Sequence, residues 1–243
     1  MLILYVLSSW YLLSVGIICY QESKVGWPVT PYRKLVPFLI YHLLVATLQL
    51  LYVLPLLCVM SRDYRDIFVW NQVSLNFRLL FPIWWGKIKW KGVNNIPNHQ
   101  CIWIGNHQSV LDMAIMSMLP CKTPIVGTCK DSIRYIPGGG IMAMLCGTIM
   151  VKRGSPISRD DFYKKCLKTL RGGISLNIFP QGKRQHENVG KLPMKHGAFS
   201  LAYETGIPLM PYSIDYKPMG ITVTFHEQIM VTDVKESMKS LIL

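Results

Sequence analysis

A histidine and an aspartate five residues apart, His107 and Asp112, stand in the stretch Asn-His-Gln-Ser-Val-Leu-Asp at 106–112, directly after the apolar run 101–105. An imidazole has an unperturbed pKa of about 6.5, and a carboxylate beside it fixes its tautomer, so such a pair takes a proton from an alcohol near neutral pH. This is base chemistry in search of a hydroxyl. Asp112 also has a structural reading. Ser109-Val110-Leu111-Asp112 fits a helix capping box, in which the acid accepts a free backbone N–H. On this fragment alone the cap is the better fit. Five residues along a regular helix turn a side chain by about 140°, so His107 and Asp112 meet only if His107 precedes the helix. The order Asn106-His107-Gln108 ahead of Ser109 permits that. Ser109 itself serves better as the cap than as a nucleophile, and the chain has no Gly-x-Ser-x-Gly elbow.

These residues need a scaffold, and the pattern beyond position 87 supplies one. Short apolar runs predict strands at 87–91, 101–105, 124–127, 148–151, 174–179, 209–216 and 221–225. Helical periodicity falls at 110–119, 141–146, 159–170 and 195–205, with a weaker segment at 234–243. Alternation of this kind predicts an α/β fold with a mostly parallel sheet flanked by helices, whose active residues gather at strand ends. His107 would then occupy a strand-to-helix loop.

Two basic clusters follow strand-like runs: Lys152-Arg153, and Gln181-Gly182-Lys183-Arg184 after Phe179-Pro180. Guanidinium groups bind phosphate oxygens in pairs, and a glycine turn lets backbone N–H groups approach a phosphate closely. A solvated basic loop is the competing reading. The Pro-Gly-Gly-Gly run at 137–140 lacks the Gly-Lys-Ser/Thr end of a P-loop and is expected to be a bend. His186, His196 and His226 are not spaced with carboxylates or cysteines as metal ligands, so no metal or other cofactor is expected.

The formal net charge of +13 is uneven, because residues 1–60 contain only Glu22, Lys24, Arg33 and Lys34 as charged groups. A basic domain suits anionic lipid headgroups or phosphorylated substrates. Nucleic acid is not expected as a partner, since zinc-finger spacing, basic heptads and stacking motifs are all missing. Seven scattered cysteines without a Cys-x-x-Cys pair argue for reduced thiols and a cytosolic face.

Residues 1–20 carry no charge and are long enough to cross a hydrocarbon core, which favours an uncleaved anchor over a signal peptide. A second apolar run at 35–60 contains His42 and Gln49, with Pro37 and Pro55 near its ends. His42 is expected to face a partner helix. The expected organisation is a helical hairpin anchor at 1–60, an amphipathic interfacial connector at 61–86 and a catalytic domain at 87–243. Whether the hairpin crosses or lies in one leaflet is left open by its lysines and arginines. The aromatic and cationic stretch 76–90 suits either the headgroup level or a helix end and first strand packed on the core.

Taken in order, the blocks 106–112, 147–153, 179–184 and 206–211 resemble the glycerolipid acyltransferase family, most closely the lysophosphatidate (1-acyl-sn-glycerol-3-phosphate) acyltransferases. The resemblance covers roughly 87–216. It implies a general base at His107 oriented by Asp112, and an acceptor phosphate held near Arg153 and Arg184. It further implies an acyl thioester donor, either acyl-CoA or acyl carrier protein, a lysophospholipid acceptor and a membrane location. That location is the endoplasmic reticulum in a eukaryote or the inner membrane in a bacterium, with the catalytic domain on the cytoplasmic side. Where the family usually has Phe-Pro-Glu-Gly-Thr-Arg, this chain reads Phe179-Pro180-Gln181-Gly182-Lys183-Arg184. Two changes toward positive charge suit a more anionic acceptor or mark a weakened enzyme; the alternatives are an acyltransferase or transacylase for another lysophospholipid, or a non-catalytic lipid-binding scaffold on the same fold.

Overall fold

The computed structural model describes residues 9, 12, 13, 15–17, 20, 32–57, 62–136, 139–152, 156–184, 194–217 and 220–241. Its elements are α1 (Tyr32–Leu57), α2 (Arg62–Trp85), β1 (Lys89–Lys91), β2 (Ile102–Gly105), α3 (Leu111–Ser117), β3 (Ile125–Lys130) and α4 (Gly139–Leu145). There follow β4 (Ile149–Val151), α5 (Pro156–Arg171), β5 (Ser175–Ile178), α6 (Gly197–Thr205), β6 (Leu209–Lys217), β7 (Gly220–Phe225) and α7 (Val234–Ser240). Every strand and helix expected beyond residue 87 forms, with ends displaced by a few residues.

One seven-stranded sheet runs in the order β1-β7-β6-β2-β5-β3-β4. Strands β2 to β6 are mutually parallel through the pairs β2/β5, β2/β6, β3/β5 and β3/β4, and β7 turns back antiparallel on β6. All four residues of β2 are buried, as a strand covered on both faces requires. Alternation along it defines the layers. Cys101 and Trp103 face a core shared with Leu35 and Phe38 of α1, Phe81 of α2 and Leu111 and Ile115 of α3. Ile102 and Ile104 face the opposite core, with Cys166 and Leu170 of α5 and Phe199 and Ala202 of α6. Gly206 ends α6 in the left-handed region at φ 68°, its N–H returning to the Ala202 carbonyl.

The expected helical hairpin at 1–60 falls only in part on the described residues. Among the described residues, no helix is long and apolar enough to cross a membrane. Most of the run 1–20 lies outside the described residues. The second run forms α1, but Arg33 and Lys34 begin it, His42 and Gln49 interrupt its hydropathy, and Leu35, Phe38 and Leu39 are buried in the protein core. His42 does face its neighbour helix, as expected, with its ring stacked at 4.8 Å on Phe77 of α2. The 76–90 stretch is a helix end and first strand, with Phe81 fully buried and Phe77, Trp84 and Trp85 packed on the core. Leu75, Leu79 and Ile83, four residues apart on one helical stripe, remain exposed, the last at 72 %.

Candidate functional site

The carboxyl end of β2 delivers the loop that carries His107. Asn106 locks this loop to β6 by a two-point bond, its side-chain NH2 donating to the Ile214 carbonyl at 2.9 Å and its oxygen accepting the Ile214 N–H at 2.7 Å. His107 then precedes α3, and Nδ1 lies 2.8 Å from Oδ2 of Asp112, which is fully buried. The same Oδ2 accepts the backbone N–H of Gln108 at 2.6 Å and of Ser109 at 2.8 Å. Cap and pair therefore coexist on one oxygen. The remaining oxygen, Oδ1, accepts the phenol of Tyr216.

An ionised carboxylate only accepts hydrogen bonds, so Nδ1 carries the ring hydrogen and Nε2 keeps its lone pair. Nε2 has no hydrogen-bond partner among the described residues. The imidazole lies nearly parallel to the Phe179 ring, 14° between planes at 4.3 Å, which fixes its orientation from the side. Ser109 is fully buried, with its hydroxyl accepting the Leu111 N–H at 3.0 Å, the position of a cap rather than of a nucleophile.

The 179–184 loop leaves the adjacent strand β5 and meets the same site. Gln181 is 4 % exposed, and its Oε1 accepts the His107 backbone N–H at 2.8 Å. Gly182 has φ 69° and donates its N–H to the Phe179 carbonyl, closing a tight turn that a side chain would strain. A Cβ there would also lie 2.7 Å from the Lys195 ammonium. Lys183 is exposed and Arg184 half-buried, and burial pushes the Arg184 guanidinium down from its ordinary value while leaving it cationic. Lys152 is exposed at the carboxyl end of β4, three strands from β2 on the same rim, a strand-spacing distance of about 14 Å. Arg153 lies outside the described residues.

Four residues that touch this cluster carried no recognisable signal as site residues: Asn106, Phe179, Lys195 and Tyr216. For Tyr216 the usable hint was strand alternation, because Tyr212, Ile214 and Tyr216 share the face of β6 turned toward α3. Tyr212 is fully buried and its phenol accepts from Asn177 at 2.8 Å, beneath Gly105.

A buried carboxylate, an imidazole with one free nitrogen and a cationic loop thus meet at the carboxyl end of a parallel sheet, where α/β folds place their sites. Residues 87–215 match the Acyltransferase family, and the chain belongs to that family. It is 30 % identical over 168 residues to the 1-acyl-sn-glycerol-3-phosphate acyltransferase of Haemophilus influenzae, covering 64 % of this chain and 67 % of that protein. Against the chloroplastic 1-acyl-sn-glycerol-3-phosphate acyltransferase of Brassica napus, identity is 31 % over 149 residues, 60 % of this chain and 40 % of the relative. The human alpha enzyme of that name is 28 % identical over 163 residues, 65 % of this chain and 55 % of that protein. The chain thus spans about two-fifths of the length of its plant relatives. The crystal structure of the 1-acyl-sn-glycerophosphate acyltransferase PlsC from Thermotoga maritima shares the fold, with a TM-score of 0.62 at 20 % identity over 80 % of this chain and 84 % of that one.

Proposed function

We propose that this protein transfers a fatty acyl group from acyl-CoA or acyl carrier protein to the sn-2 hydroxyl of lysophosphatidate, making phosphatidate. His107 Nε2 takes the hydroxyl proton as the alcohol oxygen attacks the thioester carbonyl. The C–S bond then breaks, and the leaving thiolate recovers the proton. Asp112 holds the tautomer and balances the imidazolium. Arg184 and Lys183, with Lys152 further along the rim and its sequence neighbour Arg153, receive the acceptor phosphate. Gln181 and Gly182 shape the turn between base and cations. The chemistry runs on the thioester alone, with no cofactor or metal. The observation that carries this reading is the free Nε2 of an imidazole pinned at Nδ1 and stacked on Phe179, next to the 179–184 loop. Replacing His107 by alanine in folded protein is expected to abolish acyl transfer to lysophosphatidate, measured as thiol release from acyl-CoA; retained transfer refutes the assignment.

A second reading, acyl transfer to another lysophospholipid, is favoured by Lys183, an exposed cation where the family usually has a hydroxyl. Rates on acceptors with and without a phosphomonoester separate the two. Membrane lipids are the proposed surface for either. The exposed stripes Ile40, Leu44, Leu48 on α1 and Leu75, Leu79, Ile83 on α2 suit helices lying in one leaflet rather than crossing it.

A further inference from the structure

Strand β6 outruns its neighbour. Gly105, the last residue of β2, pairs with Tyr212, and β6 continues to Lys217. Four residues past that register carry the chain about 13 Å further, alongside the loop that holds His107. Because side chains alternate, Ile214 and Tyr216 point to the same face as Tyr212. The Asn106 clamp on Ile214 then fixes where Tyr216 falls, and its phenol meets Oδ1 of Asp112.

We propose that Tyr216 is a positioning residue of the His107–Asp112 pair, fixing the carboxylate through Oδ1 and setting the basicity of His107 through Oδ2. This rests on the reading of His107 as the general base. The Ser109 hydroxyl adjoins the phenol, and because an ionised carboxylate only accepts, the Tyr216 hydrogen points to Asp112. Burial and the neighbouring carboxylate hold the phenol well above its ordinary value, so it remains a donor throughout the working range. A donor at Oδ1 draws negative charge away from Oδ2, and Oδ2 then stabilises the imidazolium less. Without Tyr216 the Asp112 carboxylate holds a proton on His107 more strongly. Among the described residues, the titratable groups around this pair are Tyr216 and Tyr212 from β6, with Cys121 beside Tyr212, and the Lys195 ammonium next to Gly182.

The test is Tyr216→Phe, read by NMR titration of labelled histidines in detergent-solubilised protein and by the pH profile of kcat/KM. The His107 signal is assigned from its loss in His107→Gln. The imidazole midpoint is expected to rise by about half to one pH unit, and the acid limb of the profile to move the same way. Turnover is expected to fall several-fold with the acceptor KM held. A fall in turnover with an unmoved midpoint and limb indicates a merely structural tyrosine and overturns the proposal. Should Tyr216→Phe fail to fold, Ser109→Ala carries the same test: a smaller shift of the same sign supports the coupling, and none overturns it. The titration needs no turnover. Acyl transfer surviving in His107→Ala would therefore overturn the general-base reading, while the NMR shift decides the coupling separately.

Discussion

Replacing Asp112 by asparagine removes one charge and almost no volume, and the geometry dictates which way the amide settles. Two backbone N–H groups, of Gln108 and Ser109, point at Oδ2 from 2.6 and 2.8 Å. The asparagine oxygen must occupy that site, so Nδ1 of His107 keeps its acceptor and the tautomer survives. What is lost is the charge. A unit pair about 4 Å apart at an effective dielectric of 20 interacts by about 4 kcal/mol. A transition state with the proton half transferred feels about half of that, roughly 2 kcal/mol, which corresponds to about a 30-fold fall in kcat. The assay is thiol release from acyl-CoA in mixed micelles with lysophosphatidate, run across the pH range alongside a folding control. A change under about threefold at every pH would mean the carboxylate does not act on the base. A loss near about 10⁴-fold would mean the amide had flipped and reversed the tautomer, contradicting the pinning by the two N–H groups.

Arg184→Ala is expected to raise the lysophosphatidate KM about 10- to 100-fold through loss of a charge-assisted contact, with the donor KM far less affected; equal effects on both would place the phosphate elsewhere. Gly105→Ala would drive a Cβ into the buried Tyr212 ring, which Asn177 holds in place. A cost of about 1–3 kcal/mol follows, seen as a Tm lowered by about 2–12 °C. Burial pushes the Cys101 and Cys166 thiols up to about 12 from an ordinary 9. Native protein therefore holds protons that the unfolded chain releases, so this contribution to stability is present below pH 9 and is lost as pH rises toward 12. Alkylation of both thiols at pH 8 is expected to be slow until denaturant is added, followed by mass spectrometry. Leu79→Asp with Ile83→Asp is expected to reduce sedimentation with phospholipid vesicles at least about tenfold, since each side chain contributes about 1.5–3 kcal/mol when fully buried; unchanged binding refutes the surface.

The strands and helices beyond residue 87 were legible because each core face writes its own periodicity. The β2 run is apolar at every position since helices cover both sides of it. The amino-terminal region was less legible for a related reason. Leu35, Phe38 and Leu39 of the apolar run 35–60 pack against protein while Ile40, Leu44 and Leu48 are exposed, and hydropathy alone does not distinguish those two kinds of apolar position. At the site, His107, Asp112 and Gln181 were readable from local order along the chain. Tyr216, 104 residues from Asp112, was not, because the contact comes from the register of β6 beside β2 and no local pattern encodes register.

The five-residue spacing itself has a structural cause. A capping acid must stand three residues after the cap, which sets Asp112 against Ser109. An imidazole bonded to that same acid must lie outside the helix, yet near enough for its ring to return to Oδ2, and His107 meets this from two residues before the cap. Moving His107 one residue closer would put it where Gln108 now presents its N–H to Asp112. Moving it one residue further would put it at Asn106, whose amide is committed to Ile214. The separation is thus the sum of a helix rule and a loop rule. The His107–Asp112 pair is built from the device that starts the helix, so cap and pair stand or fall together.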